Sequence, residues 1–346
     1  MKPALAGVAA LAAALVLLEG ALRVAGYSAP DWYRLDPQLG WSLRPHKQGY
    51  YAGDGVRTHV RINNAGFRDR DRFLDKIDGV YRIAVLGDEV SEAMPVEVNE
   101  TWWWRLPPLL QSCTDRLRVE VLNFAVGGYG TAQELVLLES TVMRYQPDLV
   151  LLQFSNASDV ADNSLALAKD KLRPFYRLDA RGVPRITESF AWSPQFERRM
   201  QTRYRLGEEI VDHSRAFQLV RQLADVAFIG EARADRDITI LGEPRGAVWE
   251  DAWRTTEALL ERMKGYSGRN GARFAVVAAP HPLQPVNAMS YPDQRLATFG
   301  RSAQVPVVSL AGVLRPELYL RSGAWSREAH RVAAESVAKH LCNSGM

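Results

Sequence analysis

The sequence predicts an α/β domain on a mostly parallel sheet, and three observations carry that reading. Short, mainly apolar runs recur at Ile83 to Leu86, Val119 to Phe124, Leu149 to Phe154 and Arg273 to Ala279. Helical patterns separate them, as expected of strands covered on both faces. The stretch Arg82-Ile83-Ala84-Val85-Leu86-Gly87-Asp88-Glu89 is an apolar strand ending in Gly-Asp, then a polar residue and a helix start. An open α/β sheet presents a functional side chain at a strand's carboxyl end in this way. Finally, 346 residues at 47% hydrophobic content suffice to bury one large α/β core.

The elements follow in order. Met1-Lys2 precedes an apolar run from Pro3 to Leu18, then Glu19 and Arg23. One positive charge ahead of such a run fits a secretory signal or a short membrane anchor. Glu19 and Arg23 interrupt the stretch where a small-x-small cleavage site belongs, so residues 1–26 read as an uncleaved anchor. With Lys2 held in the cytoplasm, the chain is expected at the inner membrane, facing the periplasm or exterior. Residues 27–78 are aromatic, proline-bearing and turn-rich. Alternation in Thr58-His59-Val60-Arg61-Ile62-Asn63 suggests a strand, and the segment reads as a β-rich collar.

The main domain takes residues 79–346. Its first helix begins at Thr101 and carries Trp102 to Trp104, which read as core anchors. A second helix is expected over Gln133 to Tyr145. Residues 163–246 are broken by Pro174, Pro184 and Pro194 and read as an insertion or cap, with one amphipathic helix from Gln195 through Ala224. Order resumes with a helix from Trp249 to about Met263, a strand at Val305 to Ser309, and a last helix from Ser326 to Leu341. Ser326 is a natural N-cap there, with Glu328 in the acid-favouring first turn.

Composition excludes several classes. Lys+Arg 43 against Asp+Glu 40 is nearly balanced, and no basic-aromatic stripe appears, so no nucleic-acid partner is expected. Cys113 and Cys342 are too few for a disulfide scaffold and suit no zinc site. In an oxidising compartment they could pair with each other. No pair of histidines or carboxylates has metal-ligand spacing, so neither metal nor cofactor is expected.

From about Arg82 to Leu341 the ordered pieces resemble the SGNH/GDSL hydrolases, and the collar, with Leu39-Gly40-Trp41 and Asn64-Ala65-Gly66-Phe67-Arg68-Asp69, is similar to that of the family's anchored bacterial members. The resemblance implies a flavodoxin-like three-layer α/β/α fold and removal or transfer of acyl groups, often acetyl, on sugars and lipids. Four blocks supply that family's site, and each is altered or kept here. Gly87-Asp88-Glu89 puts Glu89 at the nucleophile position, with Asp88 as turn former. The glycine loop Asn123 to Gly130 keeps Gly128, whose N–H would line an oxyanion hole. In the third block Ser158 replaces the asparagine, and Asn156 lies two residues early. In the last block Ser322 stands for the aspartate and Ala324 for the histidine.

Acyl transfer of this kind needs a nucleophile, a base, an orienting carboxylate and oxyanion donors. Glu89 has no hydroxyl to activate, and its charge opposes an oxyanion forming nearby. Ala324 moves no proton, and Ser322 holds no imidazolium. Ser91 and His330 read as structural. His281, in Pro280-His281-Pro282 at a strand's carboxyl end, is the rescue candidate as a base. Asp88, Glu89, Gly128 and Asn156 are the candidate binding residues. The expectation is a membrane-tethered, non-catalytic extracytoplasmic protein with an esterase fold, a pseudoenzyme. It would bind a glycan, an acylated substrate or a partner enzyme in cell-surface polysaccharide assembly or modification. The alternative is an active esterase or O-acyltransferase with rewired residues.

Overall fold

The computed structural model describes residues 2–113, 118–187, 189–206, 210–232, 238–243, 246–284 and 289–345. Helix α1 (Lys2–Val24) contains a 20-residue stretch, Leu5–Val24, long and apolar enough to cross a membrane, and it is unburied by the rest of the chain.

The collar is two antiparallel hairpins, β1 (Tyr33–Asp36) with β2 (Gly40–Leu43) and β3 (Gln48–Gly53) with β4 (Val56–Arg61). Then come β5 (Val80–Leu86), the one-turn helix α2 (Glu89–Glu92), α3 (Trp102–Leu110), β6 (Arg118–Asn123), α4 (Thr131–Ser140), β7 (Leu149–Ser155) and α5 (Asp159–Asp162). The insertion holds the hairpin β8 (Tyr176–Leu178) and β9 (Pro184–Ile186), then α6 (Pro194–Leu206) and α7 (Arg215–Ala232). The chain closes with α8 (Ala247–Arg269), β10 (Arg273–Ala279), α9 (Tyr291–Ala303), β11 (Val307–Ser309) and α10 (Arg327–Asn343).

Strands β6, β5, β7, β10 and β11 lie side by side in that order, every pair parallel. The order second-first-third-fourth-fifth is the flavodoxin-like doubly wound arrangement, whose crevice opens between the carboxyl ends of β5 and β7. Alternate side chains feed two cores, as a period of two requires. Ala84, Leu86, Val150, Leu152, Phe154, Val276 and Ala278 face α4, α8 and α9, where the collar's Leu43, Val60, Ile62 and Phe67 join the same cluster. Ile83, Val85, Leu151, Ala275 and Val277 face α3 and α10. Trp102 and Trp103 are fully buried in that second core, as anchors should be.

Two helices depart from their sequence patterns. The helix predicted from Gln195 through Ala224 is two, α6 and α7, and the first turn of α7 is bonded to Glu19 of α1. The helix expected to Tyr145 ends at Ser140 and passes into a 3₁₀ turn, Val142–Tyr145. Elsewhere Ser326 caps α10 as predicted, accepting the Ala329 N–H at 3.2 Å. Cys113 and Cys342 form a disulfide with Cα atoms 5.5 Å apart.

Candidate functional site

The site grows from the end of β5. Gly87 leaves the strand where any side chain would collide with Gln153, since a Cβ would fall 2.5 Å from its Oε1. Asp88 is buried and caps α2, its Oδ1 accepting the Val90 N–H at 2.9 Å. Glu89, first residue of the helix, is thereby turned outward and is exposed. Its Oε2 accepts the Gly128 N–H at 3.0 Å.

Gly128 makes that contact because of its backbone. At φ 75° it is left-handed, and a Cβ there would press on the Trp41 ring at 3.3 Å. The neighbouring Gly127 N–H is taken by Glu92 Oε2, whose other oxygen accepts the Tyr33 hydroxyl at 2.6 Å. Two consecutive loop N–H groups are thus each held by a carboxylate. Burial pushes Glu92 up to about 7, against the Tyr33 and Gly127 hydrogen bonds and Arg68, which favour its charged form.

The collar closes over this loop. Trp41 Nε1 donates to the Gly127 carbonyl at 2.9 Å, and Arg173 lies over the Trp41 ring, 4.9 Å from its centroid. Arg173 also pairs with Asp162 at 3.2 Å. Burial raises Asp162, Arg173 opposes that rise, and the charge of Glu89 adds to it. Behind the elbow sit Asp88, Glu134 and Asp159, all buried. Burial chiefly holds all three well above the carboxylate range; the charge of Glu89 adds to it at Asp88, that of Asp88 at Glu134, and those of Glu134 and Asp88 at Asp159.

The remaining block residues are spent elsewhere. Asn156 is buried and gives its amide to Asp293 Oδ1 at 2.8 Å. Ser158 begins α5 without a side-chain cap. Ser322 donates its N–H to the collar's Asp54 at 2.8 Å, and its hydroxyl accepts the Ala324 N–H at 3.2 Å. His281 is buried, with Nδ1 accepting the Leu283 N–H at 3.0 Å. Ser91 lies in the core between Trp102 and Gln153. His330 accepts the Trp102 N–H, and burial drives it down to about 3. Among the described residues no cluster of His, Cys, Asp or Glu could hold a metal ion.

The structure therefore joins Glu89 to Gly128, keeps Asp88 as a buried cap and sends Asn156 inward. Sequence reasoning missed Glu92, Tyr33, Arg173 and Asp54, and had Trp41 only as part of the collar motif. Only Glu92 carried a local signal: it stands one turn beyond Glu89 on a helix that opens at the elbow.

No family model matches the chain, and no curated protein matches it. Among solved structures, that of TesA is 14% identical over 75% of this chain and 98% of its own, with a TM-score of 0.41. The psychrotrophic esterase EstA from Pseudoalteromonas sp. is 11% identical over 76% of this chain and 97% of its own, at 0.42. Axe2, an acetylxylan esterase from Geobacillus stearothermophilus, is 10% identical over 75% and 94%, at 0.40. The parallel strand order, the Gly-Asp elbow after β5 and the glycine loop after β6 give this chain a flavodoxin-like α/β/α fold with Glu89 at the elbow.

Proposed function

We propose that the chain is a membrane-tethered, extracytoplasmic binding module built on an esterase fold, without acyl-transfer chemistry of its own. The observation that carries this reading is the Glu89–Gly128 hydrogen bond. A carboxylate already occupies the donor that a tetrahedral oxyanion would need, and Glu92 occupies the donor beside it. An ester bound there would meet negative charge where it must develop negative charge. The rewired alternative needs a base near Glu89, and the lone pair of His281 Nδ1 is engaged by Leu283.

The ligand, on this reading, is a glycan, an acylated substrate or a partner enzyme of cell-surface polysaccharide assembly. Glu89, with Asp162 and Arg173 beside it, offers acceptors and donors suited to sugar hydroxyls. The tether is α1, with the domain on the outer face. The polysaccharide setting follows from the resemblance of the sequence blocks.

Turnover of p-nitrophenyl acetate and of an acetylated sugar by the full chain, beside Glu89→Ala, tests the proposal. Neither protein should exceed the buffer rate. Saturable turnover that collapses in Glu89→Ala would overturn it and make Glu89 a working residue.

A further inference from the structure

Helix α7 carries an apolar face that is left exposed among the described residues. Phe217, Val220 and Leu223 recur at three-residue spacing and are 42%, 63% and 62% exposed. The other side of the helix is fully engaged. Gln218 is buried and accepts the Ala29 N–H, Tyr27 bonds Gln222, and Arg221 donates to the carbonyls of Ala29 and Pro30. The helix is therefore held in one orientation, with its apolar side turned out.

Its position relative to α1 is equally fixed. Glu19 Oε2 accepts the Ala216 N–H at 2.9 Å and the Ser214 hydroxyl at 3.3 Å, so a carboxylate of α1 caps the first turn of α7. Arg23 pairs with Glu19 at 2.7 Å and donates to the His213 carbonyl at 2.6 Å. Both charges that interrupt the end of the apolar run are thereby accounted for. A carboxylate near a membrane is costly unless paired, and this one is paired by Arg23 and by the start of α7.

These contacts set a depth. A helix rises about 1.5 Å per residue, so Glu19 lies roughly 7 Å below the Val24 end of a span that about 20 residues carry across the hydrocarbon. That is the level at which amphipathic helices lie, their apolar face buried roughly 5–10 Å into the headgroup and acyl boundary. We propose that α7 is an interfacial helix whose Phe217, Val220 and Leu223 face enters the outer surface of the bilayer that α1 spans. The domain is then held at two points and does not swing on a single tether. The inference rests on the reading of α1 as a membrane anchor.

The test uses the full chain in vesicles of phosphatidylethanolamine and phosphatidylglycerol. The native cysteines are bonded to each other, so single substitutions Leu15→Cys, Val220→Cys and Leu223→Cys each accept one nitrobenzoxadiazole label. All three positions are exposed on the protein, so folding should be undisturbed. Labels at 220 and 223 should shift to the blue, be quenched by lipid nitroxides at shallow acyl positions, and lose several-fold in quenching by aqueous iodide. The label at 15 should respond to deep nitroxides. If 15 is shielded while 220 and 223 are quenched by iodide like free dye, the anchor stands and the interfacial helix is overturned. If 15 is also open to iodide, the anchor reading falls and takes this inference with it.

Discussion

At the scale of single residues, the consequential group is Glu92. In the unfolded chain it titrates near 4.5, whereas burial holds it at about 7 in the fold. The folded state keeps a proton that the unfolded state releases between those values. The associated stability is therefore fully present below about pH 4.5 and is lost as pH rises through 7. The slope approaches about 1.4 kcal/mol per pH unit, or about 3 kcal/mol in total. Asp88, Glu134 and Asp159 are raised by burial as well and act in the same direction. Buried His330 works the other way below pH 6.5, so urea unfolding at pH 6.5, 7 and 8 should show stability falling with pH, and Glu92→Gln should flatten the profile. A natural chain more stable at pH 8 than at pH 6.5 would contradict this account. The same residue shows what a sequence withholds. Glu89 and Gly128 were legible because an elbow and a glycine loop are local patterns. Glu92 acquires its role from Tyr33 and Gly127, 59 and 35 positions away, and Ser322 meets Asp54 across 268.

At the scale of elements, the collar positions the elbow. Arg68 is buried and sends its guanidinium to the carbonyls of Glu92, Ala93 and Val96, where α2 ends and its last carbonyls lack helical partners. Burial lowers Arg68 to about 10, with the Glu92 and Glu97 charges holding it up. Arg68→Met should cost about 3 kcal/mol or more, because it leaves buried acceptors unpaired. Arg68→Lys should rescue little, since an ammonium does not reproduce the planar fork. Chemical unfolding of both variants checks this, and an unchanged midpoint for Arg68→Met would refute it. Element boundaries were readable where punctuation is local. β10 runs from Arg273 to Ala279 as its pattern predicts, between Gly271 and Pro280. The break between α6 and α7 was passed over although Ser214, which accepts the Phe217 N–H, is a local N-cap signal; what no local pattern carries is the bond of that turn to Glu19, almost two hundred positions earlier. Helix α9 was not anticipated, although Ser290 and Asp293 form a capping box and Pro292 stands in its first turn.

At the scale of the whole molecule, the ends of the chain are tied down in different ways. The amino end meets the insertion through Glu19 and Arg23, and the carboxyl end is closed covalently. Helix α10 lays Ala329, Ala333, Ala334, Val337, Ala338 and Leu341 onto the core it shares with α3, and Cys342 at its end bonds Cys113 just beyond α3. The bond spans a sequence separation of 229, and cross-links over long loops restrict the unfolded chain most. The double substitution Cys113→Ser and Cys342→Ser should cost about 2–5 kcal/mol. Loss should begin at α10, whose docking then depends on noncovalent contacts that are mostly alanine, with Val337 and Leu341. Hydrogen exchange should show α10 amides opening ahead of β5 and β7 in the substituted chain, but together with them in the natural one. The compartment enters the same test, because such bonds persist in oxidising spaces and not in the cytosol. Chain recovered from intact membranes should resist thiol alkylation until reduced. Two reactive thiols at that step would place the domain on the reducing side, and the tethered, outward-facing arrangement would have to be abandoned.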